Sequence, residues 1–397
     1  MKSYFVYLVT FLLIGPTLVF SHSHFEPNDE GTYYVTFSDG ADGILGADKK
    51  TQVYPGIYKL NSSQVQLASE LVHEELRGCG GFFTHKTLEE AQAFQELDYD
   101  SQEISNFIDY TLKRETEVKR LISKVKEINV RNTILKLSDF KTRYHRTTHG
   151  KDSQKWLKSH WETFFKGRND FKVENFNHES LTSQPSLIAT LKGSKFPEKI
   201  IVLGGHADST VGFFGGNSRA PGADDNASGI ASITEVMRIL SEQNFKPQYT
   251  LQFMAYAAEE VGLVGSKDIA KKYKEAKKEV IGVIQMDMTN YKGSKDVDIS
   301  LISDYTNKDQ NTFVGSLIDE YIKVKWDYSP CNYACSDHAS WTAYGIPASF
   351  PFEAKANERN RKIHTKSDTI EQSGSHAKHA AIFSKLGVAY VLEMDAR

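Results

Sequence analysis

From residue 199 onward, short apolar runs alternate with stretches whose apolar positions recur at helical spacing. Residues 200–203, 250–254 and 280–284 are rich in β-branched or other apolar side chains and predict strands. Residues 230–240 and 269–277 predict helices between and after them. The alternation predicts an α/β fold, a three-layer α/β/α sandwich around a mostly parallel mixed sheet. The charged run 271–278 fits a solvated helix face. Further upstream, Ile104, Phe107, Ile108, Val118, Leu121, Ile122, Val125 and Ile128 recur at steps of three and four, which predicts core-facing helix. Residues 24–98 read differently. Strand-like runs at 33–37 and 53–60 lie between Gly, Asp and Asn turn signals and predict a small α+β unit. No metal-binding constellation stands out in that unit.

The first residues change the picture. Lys2 precedes an apolar run over 4–20 that Gly15 and Pro16 interrupt, and small residues follow at Ser21 and Ser23. That order predicts a cleaved signal peptide over 1–21 and a secreted protein. An uncleaved membrane anchor is the competing reading, disfavoured by the shortness of the run and its helix breaker. The expected division is then a prosegment over 22–100 and a catalytic domain over 101–397, with the mature start near 99–105. A permanent accessory domain is the alternative to a prosegment. The formal net charge of −3 and a charged content of 25% give no pull towards nucleic acid or anionic membrane. Of three cysteines, Cys331 and Cys335 are close enough for a disulfide across a tight loop, which suits export. A metal-binding cysteine pair would lack partners. Cys79 is left odd, as fits a segment later removed.

Candidate chemistry gathers beyond the predicted strands. The first strand runs into Gly204 and Gly205 and then offers His206, with Asp208 placed to accept its second ring N–H. Asp224 and Asp225 follow in a Gly-flanked loop before a helix, where carboxylates either cap the helix or bind cations. The glycosylation sequon at Asn226 is discounted as chance. After the next strand come Glu259 and Glu260, which in extended chain would point oppositely, one to a metal and one to a reacting water. Asp287 closes an apolar strand and must be paired or ligated to tolerate burial, and His364 adds a second imidazole. Two histidines with several carboxylates suit a pair of zinc ions.

In this order the motifs His206-Ala-Asp208, Gly222-Ala-Asp224-Asp225, Ala257-Ala-Glu259-Glu260, Met286-Asp287-Met288 and Ile363-His364 resemble the M28 family of zinc aminopeptidases, nearest to secreted bacterial leucyl aminopeptidases of the Vibrio/Aeromonas type. The resemblance runs from about Leu137 onward. It implies two Zn²⁺ per chain bridged by Asp225, with Asp287 beside His206 and Glu260 beside His364. It implies that Glu259 is general base and acid, that Asp208 orients His206, and that Tyr333 lies near the scissile carbonyl. The segment from Cys331 to His338 is similar to that group's disulfide loop. Met288, Ile302, Phe350, Phe352 and Ile363 fall at the positions of an apolar pocket for the first residue. Ala356 and Arg359 replace aromatic residues there, which implies a wider pocket that rejects basic side chains. The implied substrates are peptides with a free N-terminus, preferably with Leu or another bulky apolar residue first. The implied state is a monomer, with no nucleic acid and no membrane after signal cleavage. A glutaminyl cyclase or carboxypeptidase on the same scaffold, and a binding protein that lost catalysis, are the rival readings. The complete ligand set argues against a cyclase and against a binding protein, and activity on blocked N-termini would discriminate the other enzymes.

Overall fold

A computed structural model describes residues 31–38, 41, 51–76, 78, 80–97, 110–178, 181–212, 216 and 218–396. The predicted signal peptide, the expected mature start, Cys79 and the helix-like positions Ile104, Phe107 and Ile108 lie outside the described residues. The N-terminal unit runs β1 (Thr32–Phe37), β2 (Gln52–Tyr54), β3 (Ile57–Asn61), α1 (Ser62–Leu76), β4 (Phe82–His85) and α2 (Leu88–Gln95). Its antiparallel sheet has the order β2-β3-β1-β4. The single run expected at 53–60 is a hairpin, because Pro55 and a left-handed Gly56 (φ 72°) turn the chain back.

The larger unit contains α3 (Glu115–Ile122), α4 (Glu127–Asp139), α5 (Thr148–Trp161), β5 (Phe171–Phe176), β6 (Ser186–Leu191), β7 (Phe196–His206), α6 (Gly229–Glu242), β8 (Tyr249–Tyr256), α7 (Val264–Glu275) and β9 (Glu279–Gln285). After them come β10 (Ile299–Ile302), α8 (Lys308–Leu317), β11 (Trp326–Ser329), α9 (His338–Ala343), β12 (Ala348–Ser349), β13 (Pro351–Phe352) and α10 (Lys378–Met394). The central sheet has the order β12-β9-β7-β8-β6-β5. β12, β9, β7 and β8 are parallel, while β6 and β5 add an antiparallel edge. The predicted three-layer α/β fold with a mostly parallel mixed sheet is what forms.

Period-two alternation divides the layers. Ile201 and Leu203 of β7, with Leu251, Phe253 and Ala255 of β8, pack against α3, α4, α5, α6 and α10. Their neighbours Ile200, Val202, Met254 and Tyr256 face α7 and α9 on the other side. α10 is apolar nearly all round because α3 and α6 both cover it. Of the helix-like positions near 118–128, Val118 and Leu121 are core, whereas Ile128 is exposed.

The N-terminal unit shares its core with the larger one. Val35, Leu60, Val65, Ala68, Val72 and Phe82 pack on Ala258, Val261 and Val264, which flank the end of β8. Backbone bonds Gly81 N–H to Ala334 O (2.8 Å) and Thr84 N–H to Gly262 O (3.3 Å) add to the seam. So does a buried ion pair, Lys267 Nζ to Glu90 Oε1 at 2.9 Å. Burial raises the Glu90 carboxyl, but the Lys267 ammonium more than reverses this and holds it at about 2 against the ordinary 4.5. A depressed carboxyl contributes stability above its unfolded value and loses it as pH falls through the folded one. The seam is therefore expected to weaken between pH 4.5 and about 2. Hydrogen exchange of β4 and α2 checks this: Glu90→Gln should lose that pH dependence and lower protection at neutral pH by on the order of 2–3 kcal/mol.

Candidate metal centre

The carboxyl ends of β7, β8 and β9 lie side by side, and each strand hands the chain to an ionisable residue there. His206 ends β7 and pairs with Tyr256 of β8, just before Glu259 and Glu260. Asp287 follows β9, and Asp225 comes from the irregular turn Ala223–Ser228 that feeds α6. His364 arrives on the loop before α10. Ala258, Met288 and His364 all have left-handed φ (57°, 51° and 54°), so three of these segments hold strained backbone at the site.

Asp225 stands between two clusters. Its Oδ1 is 3.0 Å from His206 Nε2, and its Oδ2 is 3.0 Å from His364 Nε2. His206 Nε2 is also 3.3 Å from Asp287 Oδ1, and His364 Nε2 is 3.1 Å from Glu260 Oε2. The fold thus brings together the two pairs expected from the sequence. One member was not expected. His73 of α1 joins the second cluster, with Nε2 3.4 Å from Glu260 Oε2 and its ring stacked on His364 at 3.9 Å. Ligand-type atoms within each cluster lie within 4.8 Å of one another.

These side chains are buried and fit a metal. His206 Nε2, Asp287 Oδ1 and the carboxylate oxygens of Glu259 and Glu260 make no hydrogen bond among the described residues, although their neighbours are close. Buried polar atoms that converge without bonding to one another are what a missing cation would satisfy. Imidazole nitrogens with carboxylate oxygens suit zinc or a similar divalent ion. Electrostatics agree. Burial pushes the Glu259 carboxyl well above the usual range; His206 opposes this, while Glu260, Asp337 and Asp287 add to it. Glu260 is likewise raised by burial, to about 7. Burial would raise Asp225 too, but the imidazoles of His206 and His364 hold it well below the carboxylate range.

Two expectations about local geometry are corrected. Glu259 and Glu260 are not on extended chain. The left-handed Ala258 turns them into a short 3₁₀ turn, Glu259–Val261, so helical rather than strand spacing separates their side chains. Asp208 Oδ1 is 3.5 Å from His206 Nδ1, too far for a good hydrogen bond. It accepts the Glu259 N–H at 3.1 Å, and Oδ2 accepts the Glu260 N–H at 3.3 Å. Asp208 therefore fixes the glutamate turn.

Other supports were missed. Asp368 accepts the N–H groups of Asp224 and Asp225, both at 3.1 Å. Arg143, 1% exposed, donates to the carbonyls of Ala207, Leu137, Pro221 and Gly222 and ties the β7 end to the Asp225 loop. Asn226 bridges the His206 and Met286 carbonyls and is fully buried, so the sequon there is no glycan acceptor in the folded chain. Ser336 Oγ donates to Asp287 Oδ2 at 2.6 Å. None of these carries a local signal, because apart from Leu137 each partner is remote in sequence.

The expected pocket residues Met288, Ile302, Phe350, Phe352 and Ile363 form one apolar cluster, which Tyr333 and Cys335 join. Cys331 and Cys335 are disulfide-bonded at its edge. Ala356 and Arg359 line the same cavity beside Asp287. Elsewhere, His178 lies 2.9 Å from Asp268 and 2.8 Å from Ser186, in the pattern of a hydrolytic triad. Ser186 is fully buried and its Oγ accepts the Ala257 N–H, so that array is structural.

Fold and site together form a candidate metal centre at the carboxyl edge of a mostly parallel sheet. Residues 186–386 match the model of peptidase family M28. The chain is 34% identical to leucine aminopeptidase 1 of Paracoccidioides brasiliensis over 75% of its length and 78% of the relative's. It is 33% identical to a probable aminopeptidase of Saccharomyces cerevisiae over 69% and 75% respectively. The crystal structure of the LapA aminopeptidase of Legionella pneumophila superposes with a TM-score of 0.77 at 30% identity, covering 92% of this chain and 98% of that one. The chain belongs to peptidase family M28, and it is an aminopeptidase.

Because Asp368 holds the backbone that presents Asp225, Asp368→Ala is expected to weaken metal binding about 10- to 100-fold while the chain stays folded. Chelator competition, with circular dichroism as the folding control, checks this.

Proposed function

We propose that this chain is a secreted aminopeptidase that binds two zinc ions, one at His206 and Asp287 and the other at Glu260 and His364, with Asp225 shared between them. The observation that carries the reading is Asp225 itself, whose two oxygens each lie 3.0 Å from a different imidazole. A zinc pair bound there would polarise the scissile carbonyl and make the attacking water more acidic. Glu259 is the remaining acid. Its buried carboxylate takes the proton of the attacking water as the oxygen bonds to the carbonyl carbon, then returns it to the leaving amine as the C–N bond breaks. Asp208 keeps Glu259 in place through the glutamate turn.

The apolar cluster beside Asp287 receives the side chain of the first residue, and Tyr333 at its rim faces the scissile carbonyl. Arg359 on the same wall opposes Lys and Arg there, which supports a preference for Leu, Met or aromatic first residues. Substrates are peptides with a free N-terminus, and the enzyme works as a monomer outside the cell. No helix among the described residues is long and apolar enough to cross a membrane. The region before about residue 100 acts as a prosegment that assists folding and limits activity until removed.

Processed protein should release p-nitroaniline from Leu-p-nitroanilide and act far more slowly on the Lys analogue. Glu259→Ala should lower kcat about 10²- to 10⁴-fold with both metals retained. A dominant Lys rate would remove the pocket assignment, and full activity in the variant would remove Glu259 as base.

A further inference from the structure

The N-terminal unit reaches into the centre itself. α1 presents one face to the larger unit, formed by Ser69, His73 and Leu76 at helical spacing. Ser69 Oγ donates to the Glu260 carbonyl at 2.5 Å, bonding the helix to the backbone of a candidate ligand. One turn on, His73 is buried with Nε2 directed at Glu260 Oε2 (3.4 Å), and that nitrogen has no hydrogen-bond partner among the described residues. A buried imidazole nitrogen left unbonded is unfavourable unless something absent from the protein satisfies it. A metal held by Glu260 and His364 would do so, and imidazole is a common zinc ligand.

The next turn meets the apolar pocket. Leu76 packs against the cluster of Met288, Phe350 and Ile363, and Arg359 donates to its carbonyl. The chain then passes close over the rim. A Cβ on Gly78 would collide with the Tyr333 hydroxyl, and one on Gly80 with the Ala334 carbonyl. What remains of the pocket is a cavity of about 20 Å³. That holds about one water and no substrate side chain.

We propose that His73 is a ligand of the metal at Glu260 and His364, and that α1 thereby occupies the seat of the substrate's first residue. His73 takes the coordination position that a substrate α-amine needs, and Leu76 covers the pocket its side chain needs. The inference rests on the two-metal reading above. It makes inhibition by the N-terminal unit a matter of ligand exchange: the helix must withdraw one nitrogen before an amine can replace it.

The test uses the full unprocessed chain as wild type, His73→Ala and His73→Phe, the last keeping a ring to stack on His364. Zinc affinity is read by competition with a chromophoric chelator, ligation by the visible spectrum of the cobalt(II)-substituted protein, and turnover with Leu-p-nitroanilide at saturating zinc. Both variants should bind one of the two zincs at least about tenfold more weakly, show an altered cobalt spectrum, and hydrolyse the substrate faster than unprocessed wild type. Two zincs held with wild-type affinity and an unchanged cobalt spectrum in both variants would overturn the assignment of His73 and leave the two-metal reading standing. Absence of bound metal in wild type as well would overturn that reading, and this one with it.

Discussion

Around Asp225 the protein crowds more negative charge into a dry place than its own cations can balance. Glu259, Glu260 and Asp287 sit within reach of it at no more than about 1% exposure, and Asp208, Asp224, Asp337 and Asp368 are buried close behind. Against them stand two imidazoles and one guanidinium, His206, His364 and Arg143. Desolvating each carboxylate costs several kcal/mol even after relaxation. Without added positive charge, burial drives Glu259 and Glu260 towards their neutral forms, and divalent charge would let them stay ionised. The proposed metals would relieve that charge as well as supply the chemistry.

Much of the architecture serves to hold those charges apart and aimed. Parallel β7, β8 and β9 deliver candidate ligands to one edge, where each chain must turn sharply, and left-handed Ala258 and Met288 make two of those turns. Arg143, Asn226 and Asp368 then tie the loops to one another through backbone groups. Such bonds fix ligand direction without adding charge to the ligands themselves. The N-terminal unit belongs to this framework too. Its core includes Ala258 and Val261, the neighbours of the glutamate pair, so what covers the site also packs against the turn that builds it.

Residues whose role is set by local pattern were legible in the sequence. His206 after two glycines, paired acids in turns and an acid at the end of an apolar strand carry their chemistry in their immediate context, and the fold unites them. The α/β class followed from the same strand–helix alternation. What local pattern does not encode is long-range pairing. His73 sits beside Glu74 and Glu75 in a helical stretch whose charges read as an ordinary solvated face, and only the folding of α1 against Glu260 brings it to the centre. Arg143 and Asp368 escaped for the same reason, since their bonds go to backbone groups far along the chain. The geometry expected of Glu259 and Glu260 was mistaken, because a left-handed Ala258 cannot be read from an alanine, which rarely adopts it.

The central claim is that Asp225 bridges two bound zinc ions, and anomalous diffraction at the zinc edge from crystals of the zinc-loaded protein tests it most directly. The account predicts two peaks, one contacting His206 and Asp287, the other contacting Glu260 and His364, with one oxygen of Asp225 on each. A single peak, or two peaks that leave Asp225 without contact to one of them, would contradict it.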